Sequence, residues 1–434
     1  MMARVIAQRT TDLFSAAAVS LIPLILVCYR ILYASEPTLA AAICRPTLLA
    51  VCLMLFVVGY DSHITLSERK TLHVIGVLCG ALLFTSLLAM NTERAMQEWI
   101  KLVAICSMAI MLCRPLMRRP IATAFGLSLV LCSIVLAGTI IYTYVSYMGF
   151  VIPTYPAVRV LKGAALDDDN IALNPLGFEC VFTFLCGMCL IRHNRILWAV
   201  GATLLVISSV LTGSRAPLAV FLISATVLLI LNGLQSGSQF LRASSALAGI
   251  ALTAGVLIGL SLASPQTLSH WTEGRWDLWA VAMHKFAMHP LWGNGYLSVL
   301  DDATFLPGGY HSEYLTALAE QGAIGFAVVV YVFGCLLRRC YDVAFNPRFG
   351  SSNGQVVLFA CIFLLVRASV ELPGLFGTAQ GPADFLAYFF LAIAMTRTPG
   401  MPRQIASSQT RSSSRLSALR PVRVGHAISG ERSH

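Results

Sequence analysis

Of the 434 residues, 57% are hydrophobic and 12% charged, and mean hydropathy is +0.76; this excludes a soluble globular protein and describes a polytopic membrane protein. The formal net charge of +10 sits in short basic clusters between apolar runs and in the C-terminal segment, so it reads as a topology signal, and no nucleic-acid partner is expected. Most of the thirteen cysteines lie inside apolar runs, Cys186 and Cys189 among them, where a thiol is a small hydrophobe, not half of a disulfide.

A helix needs ~20 apolar residues to cross about 30 Å of hydrocarbon. Such segments fall at 13–33, 44–60, 72–89, 97–113, 121–148, 171–191, 196–212, 216–232, 244–263, 314–337, 355–371 and 383–396, twelve in all. They are continuous apolar runs, not the alternating strands of a barrel, so the expected fold class is an all-α polytopic membrane protein of about 12 transmembrane helices. The first has a basic start but a poor small-residue cleavage site between Leu32 and Glu36, and reads as a retained span.

The basic clusters occupy alternate connections: Arg4 and Arg9; Arg69 and Lys70; Arg114, Arg118 and Arg119; Arg192 and Arg195; Arg242; Arg338, Arg339 and Arg348; then the tail. All lie on one side if both termini do, and the positive-inside rule makes that side the cytoplasm. Residues 1–396 form the expected membrane domain. The tail, 397–434, carries seven arginines and is expected to be disordered, an anchor that can also lie on anionic lipid. No nucleotide-binding glycine loop is present, and no cytoplasmic segment is large enough for an ATPase or nucleotide-sugar domain, so activated substrate must come from elsewhere.

The opposite, outer face receives 149–170, 212–216, 264–313 and 372–382. Arginines here break the topology rule and ask for an anionic partner. Arg159 and Lys162 are two such cations. The run Asp167 to Asn170 offers oxygen ligands to a metal, while Asp169 and Asn170 serve equally as caps of the next helix. Arg215 lies between two spans with Pro217 suited to a first helical turn; it is either an interfacial anchor or the ligand of a phosphate or carboxylate.

The long loop 264–313 is the largest polar interruption, and long loops between spans are uncommon unless they carry function. An amphipathic helix over 272–288 is expected, with Trp276, Trp279, Met283 and Phe286 on one face, lying in the membrane interface or simply packed. Arg275 near its start joins a guanidinium to exposed backbone N–H groups, a cradle for phosphate. His311 follows Tyr310 and directly precedes an apolar helix. It is either a polar boundary residue or a neutral imidazole able to take a proton. Glu320 falls about two turns into that helix, as a structural ion-pair member or a supporting residue, and Gly322 and Gly325 permit close backbone approach.

HSEYLTALAEQGAIG, from His311 to Gly325, resembles the signature of the O-antigen ligase and polymerase superfamily, and so do GRWDLWAVAMHKFAMHPLWGNGY, GSRAPLA and DDDNIA. The resemblance covers the twelve-span layout and most of 150–330. It implies a GT-C-like integral membrane glycosyltransferase that needs no metal or cofactor. Its donor would be a glycan on undecaprenyl diphosphate at the periplasmic face of the bacterial inner membrane, and its acceptor, for a ligase, the lipid A–core oligosaccharide. On that reading His311 is the general base, and Arg215 and Arg275 bind the diphosphate with Arg159 and Lys162 in support. A polymerase or a protein O-oligosaccharyltransferase would share this donor chemistry. A transporter of lipid-linked glycans or anions is the alternative of a different class.

Overall fold

The computed structural model describes residues 2–35, 37–59, 66–89, 91–116, 118–148, 173–191, 195–211, 215–262, 264, 266, 275–296, 310–345, 354–370, 387–391 and 394. Among them the structure is helical and has no strand. In chain order the helices are α1 (Met2–Ser35), α2 (Pro37–Gly59), α3 (Leu66–Leu87), α4 (Thr92–Leu116), α5 (Arg119–Met148) and α6 (Leu173–Leu190), then α7 (Arg195–Leu211), α8 (Arg215–Leu234), α9 (Gln239–Leu262), α10 (Arg275–Met288), α11 (Glu313–Phe345) and α12 (Gly354–Arg367).

Helices coincide with the expected spans from 13–33 through 355–371, and within 383–396 residues 387–391 are helical. Among the described residues, six helices are long and apolar enough to cross a membrane, within α1, α3, α4, α5, α8 and α11. Shorter apolar stretches lie in α2, α6 and α12. The chain is a multi-pass membrane protein. Its described cysteines are free and mostly buried, as their apolar settings led us to expect.

The helices pack in a closed succession. α1 lies against α2 and α5, α5 against α6, α6 against α12, α12 against α11, α11 against α3, α3 against α4, and α4 returns to α2. α8 packs on α12 from outside this circuit, and α10 packs on α11. Lipid is as apolar as leucine, so contact between spans depends on close fit, and small residues allow it. Where α5 meets α6, a methyl group on Gly126 would come within 2.9 Å of the Gly187 carbonyl oxygen, and one on Gly187 within 2.7 Å of the Gly126 oxygen. α12 is held by aromatic contacts: Phe363 with Phe178 and Phe182 of α6, and Phe359 with Phe221 of α8.

These contacts orient the bundle. The start of α11 meets the end of α12, where the Tyr314 hydroxyl donates to the Leu365 carbonyl at 3.0 Å. At the other end, Gln235, just after α8, bonds the Tyr341 hydroxyl near the end of α11. Arg215, as first residue of α8, therefore lies at the same end of the bundle as Glu313. The opposite end carries Arg338 and Arg339 of α11, Arg242, whose Nε donates to the Ser236 carbonyl at 2.6 Å, and Arg118, which pairs with Asp12 at 2.7 Å.

Candidate functional site

The site is assembled where a glycine turn meets a broken helix. α11 loses helical geometry at Gly322, whose φ of 67° and ψ of −167° lie in a region essentially reserved for glycine. A break there removes the two bonds from the amides of Ala323 and Ile324 to the carbonyls of Ala319 and Glu320, and four orphaned groups inside a membrane protein are costly. The turn after α10 satisfies all four. Asn294 and Gly295 donate to the carbonyls of Ala319 and Glu320 at 3.0 and 2.8 Å, while Ala323 and Ile324 donate to those of Pro290 and Leu291 at 2.8 and 3.4 Å.

Three glycines make this backbone-to-backbone contact sterically possible. Gly293, with φ of 72°, has no room for a methyl group because the Glu320 carbonyl occupies the place; at Gly322 the obstruction is Leu291 and the Gly293 amide. Gly295, with φ of 97°, sits against Ala89 beyond the end of α3. The Asn294 side chain adds bonds to the carbonyls of Ala319 at 2.8 Å and Lys285 at 3.0 Å. Trp292 meets Phe84 of α3 at 5.5 Å between ring centroids, and Tyr296 donates its amide to Thr85 at 3.3 Å. The arginine helix is thus tied to α11 and to the end of α3.

His311 stands just ahead of α11 with φ of 49°, the left-handed region that non-glycine residues seldom enter. Its neighbours hold it there. Tyr310 is buried with Ala282 of α10 and Ala319 of α11. Ser312, also buried, caps α11: its carbonyl accepts the Thr316 amide at 2.9 Å, and its hydroxyl oxygen accepts the Leu315 amide at 3.4 Å. Glu313 then donates its amide to the Ala368 carbonyl at 2.8 Å. The imidazole between these anchors is only half-buried.

Arg275 is the first residue of α10, as its expected place near a helix start required, and Nη1 donates to the Val370 carbonyl. One turn, Ala368 to Val370, therefore fixes both the arginine helix and the histidine helix. Along α10, Ala282 is the buried residue and Val281, Met283 and Met288 are exposed. The expected aromatic stripe is divided: Met283 faces outward, whereas Trp276, Trp279 and Phe286 are half-buried, with the two indoles 6.3 Å apart. Glu320 is wholly buried in the broken segment.

Arg275 is held on the Ala368–Val370 turn, and His311 stands two positions before the Glu313 amide held on the same turn. Tyr310 packs on Ala319 next to Glu320, and Arg215 begins α8 at the same end of the bundle. Arg159, Lys162, Asp169 and Asn170 lie outside the described residues. Among the described residues, no group of three His, Cys, Asp or Glu is placed to hold a metal ion. Sequence reasoning missed the Ala368–Val370 turn and Arg367 before it. The available signal was a lone arginine closing an apolar run.

Residues 200–330 match the family model described as O-antigen ligase. The matched segment opens inside α7, takes in Arg215, the whole of α10 and the glycine turn, and ends beyond the break in α11. The match covers under a third of the chain, and it makes this segment similar to the O-antigen ligase family, whose members are transferase-like at a coarse level. Comparison with curated proteins returns no match.

Proposed function

We propose, proceeding from the likeness of residues 200–330 to the O-antigen ligase family, that the chain transfers a glycan from undecaprenyl diphosphate to the lipid A–core oligosaccharide at the periplasmic face of the inner membrane. The observation carrying this reading is the joint anchoring of Arg275 and the His311 helix on one turn, Ala368 to Val370, at the end of the bundle where α8 begins with Arg215.

The chemistry follows from what such a transfer demands. An acceptor sugar hydroxyl attacks the anomeric carbon, the new C–O bond forms, and the bond from that carbon to the diphosphate oxygen breaks. The hydroxyl proton passes to His311 as general base. The leaving diphosphate carries the released electron pair, and the guanidinium groups of Arg215 and Arg275 stabilise it by charge-assisted, bidentate hydrogen bonds. Displacement from the opposite face inverts the anomeric centre. Rigid backbone pairing between the glycine turn and α11 suits this task, because positioning a nucleophile and a leaving group contributes much of such a rate. The half-buried tryptophans and exposed Met283 of α10 suit the membrane interface, where a polyprenyl carrier keeps its chain in lipid.

The test is a deletion strain examined by lipopolysaccharide gel electrophoresis. Loss of all core-attached polymer with accumulation of carrier-linked polymer is the expected result. Core bearing a single repeat would identify a polymerase, and an unchanged ladder would reject both.

A further inference from the structure

α12 ends in a charged residue that neither the sequence motifs nor the matched segment includes. Arg367 is 1% exposed, and none of its three guanidinium nitrogens has a hydrogen-bond partner among the described residues. Its only described contact of this kind is with the ring of Phe178 on α6, whose centroid lies 5.3 Å from Cζ. A cation–π contact offsets only part of the cost of withdrawing a guanidinium from water, which an anion accepting its hydrogen bonds would otherwise offset, and a buried charge among spans marks a functional group before a structural one.

The surroundings say where that anion belongs. The Arg367 carbonyl accepts the amide of Val370 at 2.9 Å, and the carbonyl of Val370 holds the Arg275 guanidinium. The next residue, Ala368, accepts the amide of Glu313 at 2.8 Å, two positions from His311. Arg367 thus closes the helix whose final turn anchors both the arginine helix and the histidine helix. It differs from Arg275 in depth, being enclosed between α12 and α6. A water-borne anion reaches such a place poorly; one delivered on a lipid chain moves laterally between spans.

We propose that Arg367 is a further donor-binding residue that takes a phosphoryl group of the polyprenyl diphosphate, supplementing Arg275 at the same end of the bundle. This rests on the glycosyl-transfer reading above. Its ligand chemistry is phosphate on a long isoprenoid, and the competing source of phosphate is an ordinary anionic lipid headgroup.

The experiment uses the full chain in nanodiscs of neutral lipid, with sugar-free undecaprenyl diphosphate as probe and ligand-induced thermal stabilisation as readout. Arg367→Gln is expected to weaken diphosphate binding about tenfold or more, as loss of a charged, bidentate contact does. Arg367→Lys keeps the charge without the fork and is expected to lose about fivefold; it carries the test should the glutamine variant not fold. Undiminished diphosphate affinity in folded Arg367→Lys and Arg367→Gln overturns the proposal and leaves Arg367 a packing residue on Phe178. Equal protection by phosphatidylglycerol also overturns it, assigning the guanidinium to a bulk headgroup. The underlying reading fails differently: wild-type protein then neither binds undecaprenyl diphosphate nor transfers glycan, whatever residue stands at 367.

Discussion

Gly295 donates its amide to the carbonyl of Glu320 at 2.8 Å, and this bond joins the turn after the arginine helix to the break in the histidine helix. Neither partner uses its side chain in this bond. The two signature segments meet through backbone, so their glycines are set by space and by φ, and the distance from Arg275 to His311 depends on that junction.

Gly322→Ala is expected to destabilise the protein by about 2 kcal/mol or more, since alanine must adopt a glycine-only conformation and displace Leu291. Gly334→Ala on the same helix is the control, because a methyl group there meets nothing within 4 Å. Thermal denaturation of both variants in detergent separates them; equal midpoints would show that the break does not depend on glycine.

Replacing His311 by Ala is expected to lower kcat by about 10²- to 10⁴-fold through loss of the general base. Asparagine tolerates the left-handed region better than most residues, so His311→Asn should keep the wild-type fold while remaining as inactive as alanine. Transfer of glycan to lipid A–core in reconstituted vesicles is the measurement, and wild-type turnover in either variant removes His311 from the chemistry.

Arg275→Lys should retain a donor for the Val370 carbonyl and so remain folded, yet lose the planar fork suited to phosphate. The expected outcome is a fall of about tenfold or more in kcat/KM for the carrier-linked donor, worth roughly 1.4 kcal/mol per factor of ten, with acceptor KM unchanged. A change confined to the acceptor would move Arg275 to the other substrate.

Arg215 and Arg275 are expected to act on one diphosphate, and a double-mutant cycle tests this. Arg215→Gln and Arg275→Gln should show a coupling of about 0.5 kcal/mol or more in kcat/KM for the donor, as residues sharing a partner do. Strictly additive losses would place the two cations on separate groups.

Hydropathy and charge placement were enough to locate the helices, because a spanning segment must satisfy its backbone internally and so announces itself as a run of apolar residues. The same reasoning singled out Arg215 and Arg275, which start helices at one end of the bundle, since arginines outside the basic clusters stand out against the topology rule. Gly322 and Gly325 were visible too, with close backbone approach as their expected role; Gly322 meets the backbone of Leu291 and Gly293, whereas Gly325 faces the Gln321 side chain.

What the glycines approach was decided only by the tertiary structure. A break in a helix leaves no mark in hydropathy: Gly322 belongs to an apolar run that reads as one continuous span. Pairing between residues 290–295 and 319–324 is made by backbone groups that every sequence possesses, so the glycines report a close approach without reporting its partner. Arg367 was equally hidden. A lone arginine ending an apolar run reads as a boundary residue, and its burial against Phe178 follows from the packing of α6 on α12, which brings together positions nearly 190 residues apart in the chain. The sequence by itself located the helices and singled out Arg215, Arg275 and His311; the structure decided how the glycine turn pairs with the broken helix, and how the arginine helix and the histidine helix share the three residues from Ala368 to Val370.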